Sequence, residues 1–432
     1  MRQTVLAATL TVSLLFLPNL ALADELSDLK AEIKKMEERD QILREELEKQ
    51  KEATDRLLEK MEALENENID AGLSNGEEPM TGNHGEHPSA RHPESHSFGD
   101  IPKLKISGFG DMGFSAATEN GAHRKTFKLG EISLFMTSEI SERVTFFAEL
   151  VSYPFSTLPR YAMEWQRVSL RYALSDHFNI TIGRMHTALG FWNQAYHHGS
   201  WLQTTIFRPE IYRFEYDNGI LPVHTIGIEF SGMQAFPPAD VEYHLGVVNG
   251  RAKDIQSVHN FNDENDAKAI SGLMSVRPRF IEGLQIGASA YVDRIPPNLN
   301  PFGGAPVRNN QIDERIIGGH LVYLQHGAEL LGELFKLHHH DRATGNDFDS
   351  VGYYVQGGYK IERWTPYYRL DFLNLAEGDP YYIPLQTDIR KQTLGIRWDI
   401  LTWNALKFEY GRARRPDSDR EQSLNINSSF AF

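Results

Sequence analysis

The end of the chain constrains its architecture more than any other stretch. In 420–432, Leu424, Ile426, Phe430 and Phe432 share one parity, interrupted only by Ser428. Asn425, Asn427, Ser429 and Ala431 share the other. A period of two marks a β-strand with one apolar face and one polar or small face. The segment stops on an aromatic residue, without the frayed polar residues that commonly follow the last strand of a soluble sheet. The pattern predicts a strand whose apolar face meets lipid and whose end closes a barrel.

The start of the chain supports that reading. Arg2, an apolar run from Val5 to Leu17, Pro18 and then Ala21-Leu22-Ala23 form the three parts of an export signal, so residues 1–23 are expected to be removed. The run is short for a bilayer span, and no second apolar run approaches the roughly 20 residues of a transmembrane helix. A body that crosses a membrane without such helices must do so as a closed barrel, since only helices and barrels satisfy every backbone group in lipid. The chain has no Cys, which excludes disulfides and thiolate sites.

The net charge of −15 is unevenly placed. Residues 24–70 hold nine Lys/Arg and seventeen Asp/Glu, a net −8. Residues 71–102 hold one Arg and five acids, a net −4, and with Arg2 counted this leaves −4 for 103–432. The body is nearly balanced and offers no basic surface for nucleic acid. Residues 25–69 lack Gly and Pro and are rich in Glu, Lys, Leu and Ala, which predicts helix. Apolar residues recur at 3-4 spacing from Leu26 through Leu29, Ile33, Met36, Leu43, Leu47, Leu57, Met61 and Leu64. That spacing predicts a coiled coil over 24–70, with Asp40, Gln50, Thr54 and Asn68 weakening its seam. Residues 71–102, broken by Gly and Pro, predict a flexible linker. The linker holds His84, His87, His92 and His96 beside Glu86 and Glu94, a set able to bind Zn²⁺, Ni²⁺ or Cu²⁺, although its spacing matches no closed zinc motif.

From Lys103 onward short alternating segments recur between turn residues. Strands are expected near 103–115, 125–139, 142–153, 164–174, 178–187, 223–231, 240–249 and 268–278. A second set follows near 284–293, 313–325, 328–338, 350–361, 364–374, 389–400, 405–412 and 421–432. Connections after odd strands are mostly long (188–222, 250–267, 294–312, 375–388), and those after even strands mostly short, with 232–239 the longest on that side. Short turns at one rim and long loops at the other, with charged residues on one parity, characterise an outer-membrane barrel around a water-filled lumen. Tyr153, Trp165, Tyr172, Tyr291, Tyr323, Tyr353, Tyr359, Trp364, Trp398 and Tyr410 fall near strand ends or on the outer parity, as girdles at the two interfaces require. The fold class expected is therefore an all-β transmembrane antiparallel barrel of about sixteen strands, preceded by the periplasmic coiled coil.

The export signal, the strand count, the closing Phe432 and the long connection after the fifth strand together resemble a trimeric Gram-negative outer-membrane porin, of the branch near the phosphate-selective and substrate-specific porins. The resemblance implies passive diffusion of small hydrophilic solutes. It further implies a homotrimer in contact with outer-membrane lipid and lipopolysaccharide, and a terminal Phe read by the barrel-assembly machinery. It implies too that 188–222 folds into the lumen and narrows it. Arg208, Glu210, Arg213 and Glu215 on that segment are the candidates for a constriction, either as pore-lining charges or as ion pairs pinning the segment to the wall. Arg167, Arg171, Glu229, Arg369, Asp371 and Arg397 are candidates for the facing lumen. Lys391, Asp399, Glu409 and Glu149 add to a mixed charge unlike the Arg ladder of a phosphate channel. No bound cofactor is expected. A metal-linked channel is the alternative, using the linker together with His197, His198, His338, His339 and His340. A tether without conductance is another. An enzyme on a barrel finds no nucleophile-and-base spacing to support it.

Overall fold

The computed structural model describes residues 103–432 apart from 120–121, 155–160, 197–198, 215–218, 256–262, 299–307, 309, 383–387 and 417–420. The expected export signal, coiled coil and His-bearing linker lie outside the described residues. Sixteen strands form one closed barrel. The first eight are β1 (Leu104–Glu119), β2 (Ala122–Ser141), β3 (Val144–Pro154), β4 (Tyr161–Ser175), β5 (Phe178–His186), β6 (His224–Ala235), β7 (Ala239–Asn249) and β8 (Lys268–Pro278). The second eight are β9 (Leu284–Ile295), β10 (Ile312–Gln325), β11 (Ala328–Asp341), β12 (Asp347–Tyr359), β13 (Trp364–Asn374), β14 (Ile389–Leu401), β15 (Asn404–Arg414) and β16 (Glu421–Ala431). Each pairs antiparallel with its neighbours in chain order, and β1 pairs with β16 from Phe109↔Ala431 to Thr118↔Gln422. Gly108 and Phe432 exchange backbone hydrogen bonds of 2.8 and 2.9 Å across the seam. Closure removes the exposed edges that an open sheet would present.

All sixteen expected strands are present, with β8 and β13 at the expected bounds. The connection expected at 232–239 shrinks to 236–238, because the β6–β7 ladder continues to Ala235↔Asp240. The tightest turns take the geometry a two-residue hairpin demands: His326 and Gly327 both have positive φ, 54° and 79°.

Alternation decides which face each residue takes. Leu424 and Phe432 are exposed on the outside, while Asn425, Asn427 and Ser429 are buried on the inside. Trp364 and Trp398 stack at 4.9 Å on the outer face, as do Tyr353 and Phe372 at 5.0 Å. Two of the expected girdle aromatics point inward instead. Tyr153 donates to Glu164 at 2.5 Å, and Tyr291, 1 % exposed, donates to Asp293 at 3.1 Å. Two bulges break the period. Between β3 and β4 the register shifts as Glu149↔Arg167 gives way to Leu150↔Trp165, and buried Gln166 is the extra residue. Tyr161, Met163 and Trp165 consequently share the outside with Val168, Tyr172 and Leu174, although their parity is opposite. Between β1 and β2 the register shifts between Gly110↔Ile132 and Met112↔Leu129. There Asp111 accepts the Glu131 N–H at 3.1 Å and the Asn427 side-chain amide at 2.7 Å.

Candidate functional site: the lumen and the segment 187–223

The longest connection, 187–223, carries a one-turn helix, α1 (Phe191–Ala195), and a 3-10 turn, Glu210–Tyr212. No side chain of its own caps α1. The first-turn N–H groups of Phe191 and Trp192 donate instead to the Glu333 carboxylate of β11 at 2.7 and 2.8 Å. A helix start leaves such donors unsatisfied, and an acidic acceptor suits them. Glu333 also accepts the Tyr212 and Tyr354 hydroxyls, both at 2.8 Å. Around it Trp192 meets Tyr354 edge-on at 5.6 Å, and Tyr212 meets Phe335 at 5.7 Å. Gly190, at φ 73°, precedes the helix where a Cβ would run into the Tyr212 hydroxyl and the Glu333 carboxylate.

Strands β13, β14 and β15 hold the next part of the segment through its carbonyls. Arg369, fully buried, pairs with Asp371 at 2.9 Å and donates to the Phe207 and Arg208 carbonyls at 2.8 and 3.1 Å. Arg397 donates to the Trp201 and Gln203 carbonyls at 2.8 and 2.9 Å. The Lys407 ammonium takes the carbonyls of Ser200, Gln203 at 2.7 Å and Thr205 at 3.0 Å. Glu409 accepts the Ile206 N–H at 3.0 Å. Buried polar groups need partners, and here strand side chains supply what a loop backbone lacks. Glu210 completes the row: its N–H donates to Asp371 at 3.0 Å, and its carboxylate pairs with Lys391 and Arg213, both at 2.7 Å. Burial pushes the Glu210 carboxyl up, but Lys391 and Arg213 outweigh it and hold it at about 2.

The other side of the segment faces open space. A cavity of about 420 Å³ lies between it and the wall of β1, β2 and β16, lined among others by Asp111, Lys128, Glu131, Phe207, Arg208 and Asn427. The Arg208 guanidinium lies 3.7 Å over the Phe214 ring, and the Lys128 ammonium 5.8 Å from the Phe207 ring. On β4, Arg167 pairs with Glu149 at 2.5 Å and lies 4.4 Å over Phe147, and Arg171 is exposed. Glu229 on β6 meets His244 of β7 at 3.1 Å.

The expected lumen residues thus divide. Arg369, Asp371, Arg397 and Glu210 hold the segment and do not border this cavity, although Arg397 lines another of about 510 Å³ with Trp201, Lys360 and Asp399. Arg208 borders the first, and Arg213 is a quarter exposed beside Glu210. Arg167, Arg171 and Glu229 stand on other walls. Glu215, His197 and His198 lie outside the described residues, as do His84, His87, His92 and His96. The tract His338-His339-His340 cannot close on one ion, because the pleat of β11 alternates it. His339 is buried between Glu314 at 3.0 Å and Asp379 at 2.8 Å, stacked on Tyr382, whereas His338 and His340 pair outside with Asp349 and Asp347. Among the described residues no group of three or more His, Asp or Glu is placed to hold a metal ion. Sequence reasoning missed Glu333 and Lys407, which nothing but inward parity distinguishes, and Asp111, which a bulge positions.

No family model matches the chain, and no curated protein matches it by sequence. Solved structures do match. An anion-selective porin from Comamonas acidovorans superposes with a TM-score of 0.54 at 12 % identity, covering 77 % of this chain and 100 % of that one. The outer-membrane channel DcaP of Acinetobacter baumannii gives 0.55 at 10 % identity, covering 77 % and 97 %. OmpF of Salmonella typhi, in complex with daunomycin, gives 0.55 at 12 % identity, covering 78 % and 99 %. The likeness is one of fold: a closed sixteen-stranded antiparallel barrel of the outer-membrane porin type.

Proposed function

We propose that the chain is a porin of a Gram-negative outer membrane, through which small hydrophilic solutes and ions diffuse passively. The observation that carries the reading is the asymmetric seat of 187–223: strand side chains hold it against β11–β15, while a charged cavity stays open toward β1, β2 and β16. A barrel with an apolar exterior and charged interior can stand in lipid and enclose water. Opposed groups across a narrow lumen, Arg208 on the segment against Asp111 and Glu131 on the wall, with Lys128 beside them, admit polar solutes without tight binding. On this reading the solute path runs past Arg208 and Arg213, and the mixed charge argues against strong anion selectivity. The chain is then a channel and not an enzyme, works as a homo-oligomer, a trimer by resemblance, and depends on the barrel-assembly machinery for insertion. Single-channel recording in a planar bilayer tests this. Discrete open steps are expected, closing in threes for a trimer, with a reversal potential in a salt gradient that reports the dominant lumen charge. Folded protein that conducts nothing would refute it and favour a tether.

A further inference from the structure

The middle residue of the histidine tract, His339, turns into the lumen and is 1 % exposed. Its Nε2 lies 3.0 Å from a Glu314 carboxylate oxygen on β10, and its Nδ1 lies 2.8 Å from an Asp379 oxygen on the connection 375–388. A neutral imidazole has one N–H and one lone pair, whereas a carboxylate only accepts. Both ring nitrogens therefore carry protons. The second oxygen of each carboxylate is engaged as well. Asp379 accepts the Tyr381 N–H at 2.9 Å, and Glu314 pairs with Arg251 of the connection 250–267 at 2.9 Å. Asp293 on β9 accepts the Arg251 N–H at 2.6 Å, and the Arg308 guanidinium lies 5.6 Å from the Tyr381 ring. Arg251, Arg308 and an imidazolium thus balance Glu314, Asp379 and Asp293. Tyr382 stacks on the His339 ring at 4.8 Å, and Tyr381 meets it edge-on at 5.8 Å. The same cluster holds the end of 187–223. Arg251 and the Tyr382 hydroxyl both donate to the Ile220 carbonyl, the hydroxyl at 3.3 Å, and the Tyr381 hydroxyl donates to the Ala252 carbonyl at 3.1 Å. Ile220, Leu221, Ile255, Ile312, Tyr381 and Tyr382 belong to one buried apolar core. Three long connections therefore meet around one side chain.

We infer that His339 is the positioning residue of a clasp over this half of the mouth, whose imidazolium form keeps the end of 187–223 seated and the channel narrow. The inference rests on the channel reading. The titratable groups facing the ring are Glu314 of β10 and Asp379, Tyr381 and Tyr382 of 375–388, with Arg251 behind Glu314. Burial pushes the Tyr381 and Tyr382 hydroxyls above their ordinary range, so they keep their protons in moderate base. Loss of a ring proton sets a lone pair against a carboxylate and leaves a buried negative charge uncompensated. The clasp is then present at neutral pH and lost as the pH rises, which frees 375–388 and the Ile220 carbonyl.

The test is hydrogen exchange by mass spectrometry on the full-length folded protein in neutral detergent, from about pH 7 to about pH 10, with rates corrected for the intrinsic effect of base. Amides of 250–255 and 379–382 are expected to be protected at pH 7 and to lose about tenfold or more of that protection in base, since a hydrogen bond to a charged group is worth about tenfold or more. His339→Gln, which keeps a donor but no charge, is expected to lack the protection at every pH and to show no step. His339→Arg, whose guanidinium stays charged and has donors for both carboxylates, is expected to stay protected throughout; should the larger side chain prevent folding, native protein against His339→Gln decides. Single-channel recording over the same range is the second readout. Native open steps are expected to enlarge and become noisy in base, and those of His339→Gln to be so already at pH 7. Tyr382→Phe, which loses only the bond to Ile220, should be noisier at pH 7 yet keep the step. Absence of a step in the native protein, a step that persists in His339→Gln, or exchange that steps while the open steps do not would each overturn the clasp. An exchange step in protein that never conducts would refute the channel and leave the clasp.

Discussion

Two walls of one barrel use the same alternation for opposite ends. The wall from β11 to β15 turns Glu333, Arg369, Lys407 and Glu409 inward, and all four are 3 % exposed or less. The wall formed by β1, β2 and β4 turns Asp111, Lys128, Arg167 and Arg171 inward, and these remain half-buried or exposed. The difference is not in the residue types but in what stands opposite. A backbone with unsatisfied N–H and C=O groups faces the first wall, so its charges are consumed as hydrogen-bond partners. The second wall is not covered in this way, so Lys128 and Arg171 stay exposed, while Asp111 and Arg167 find partners within the wall in Asn427 and Glu149. Charge on the inner parity is therefore not a measure of pore lining by itself.

The largest effect that would test this contrast is expected at Glu333. Removing its carboxylate in Glu333→Ala orphans two helix N–H groups and two tyrosine hydroxyls at once. Unsatisfied buried groups cost about 1–3 kcal/mol each, so a loss of about 3 kcal/mol or more is expected, with a lower thermal midpoint and noisy, enlarged open steps as 187–223 loosens. Glu333→Gln, which keeps acceptor and shape, should recover part of the midpoint. If Glu333→Ala melts and conducts like the native protein, the first wall is not what holds the segment.

A smaller, qualitatively different effect is expected opposite. Lys128→Gln removes an exposed charge, so the midpoint should hardly move, whereas Arg167→Gln also leaves the fully buried Glu149 carboxylate without its cation and should lower the midpoint. The reversal potential in a salt gradient should shift toward cation preference in both variants. A shift of equal size in Lys407→Met, whose ammonium is buried against carbonyls, would erase the distinction between the walls.

The sequence carries the barrel and not the division between its walls. Period two places Leu424, Ile426 and Phe432 outside and Asn425, Asn427 and Ser429 inside, because lipid and lumen differ in polarity at every step of the strand. The loop asymmetry supplies the strand order, since each short turn forces its two strands to pair. Gln166 shows where the pattern stops: one extra residue flips Trp165 to the outside, and only its partner Leu150 across the sheet reveals it. Arg369 and Arg167 look alike in sequence, both on the inward side of a strand and each followed by an apolar residue. Their fates differ because Phe207 and Arg208, some 160 residues away from Arg369 in the chain, bring carbonyls to one and not the other. Such pairings leave no local trace.

The smallest effect expected is the response to acid, and it bears on the same contrast. Glu210 is held at about 2 by Lys391 and Arg213, well below an ordinary carboxyl. A carboxyl depressed on folding contributes stability that is complete above its ordinary value and is lost only as the pH falls through the depressed one. The Glu210 contact should then survive from pH 7 to about pH 3. Over that range the open steps should keep their noise, even where conductance drifts as exposed lumen carboxylates titrate. Glu210→Gln removes the charge while keeping an acceptor, and should be noisy at every pH, without the native protein's dependence near pH 2. If instead the native channel becomes noisy between pH 5 and 4 and Glu210→Gln abolishes that step, Glu210 titrates as a solvated group, and the first wall is wetter at this point than its ion pairs imply.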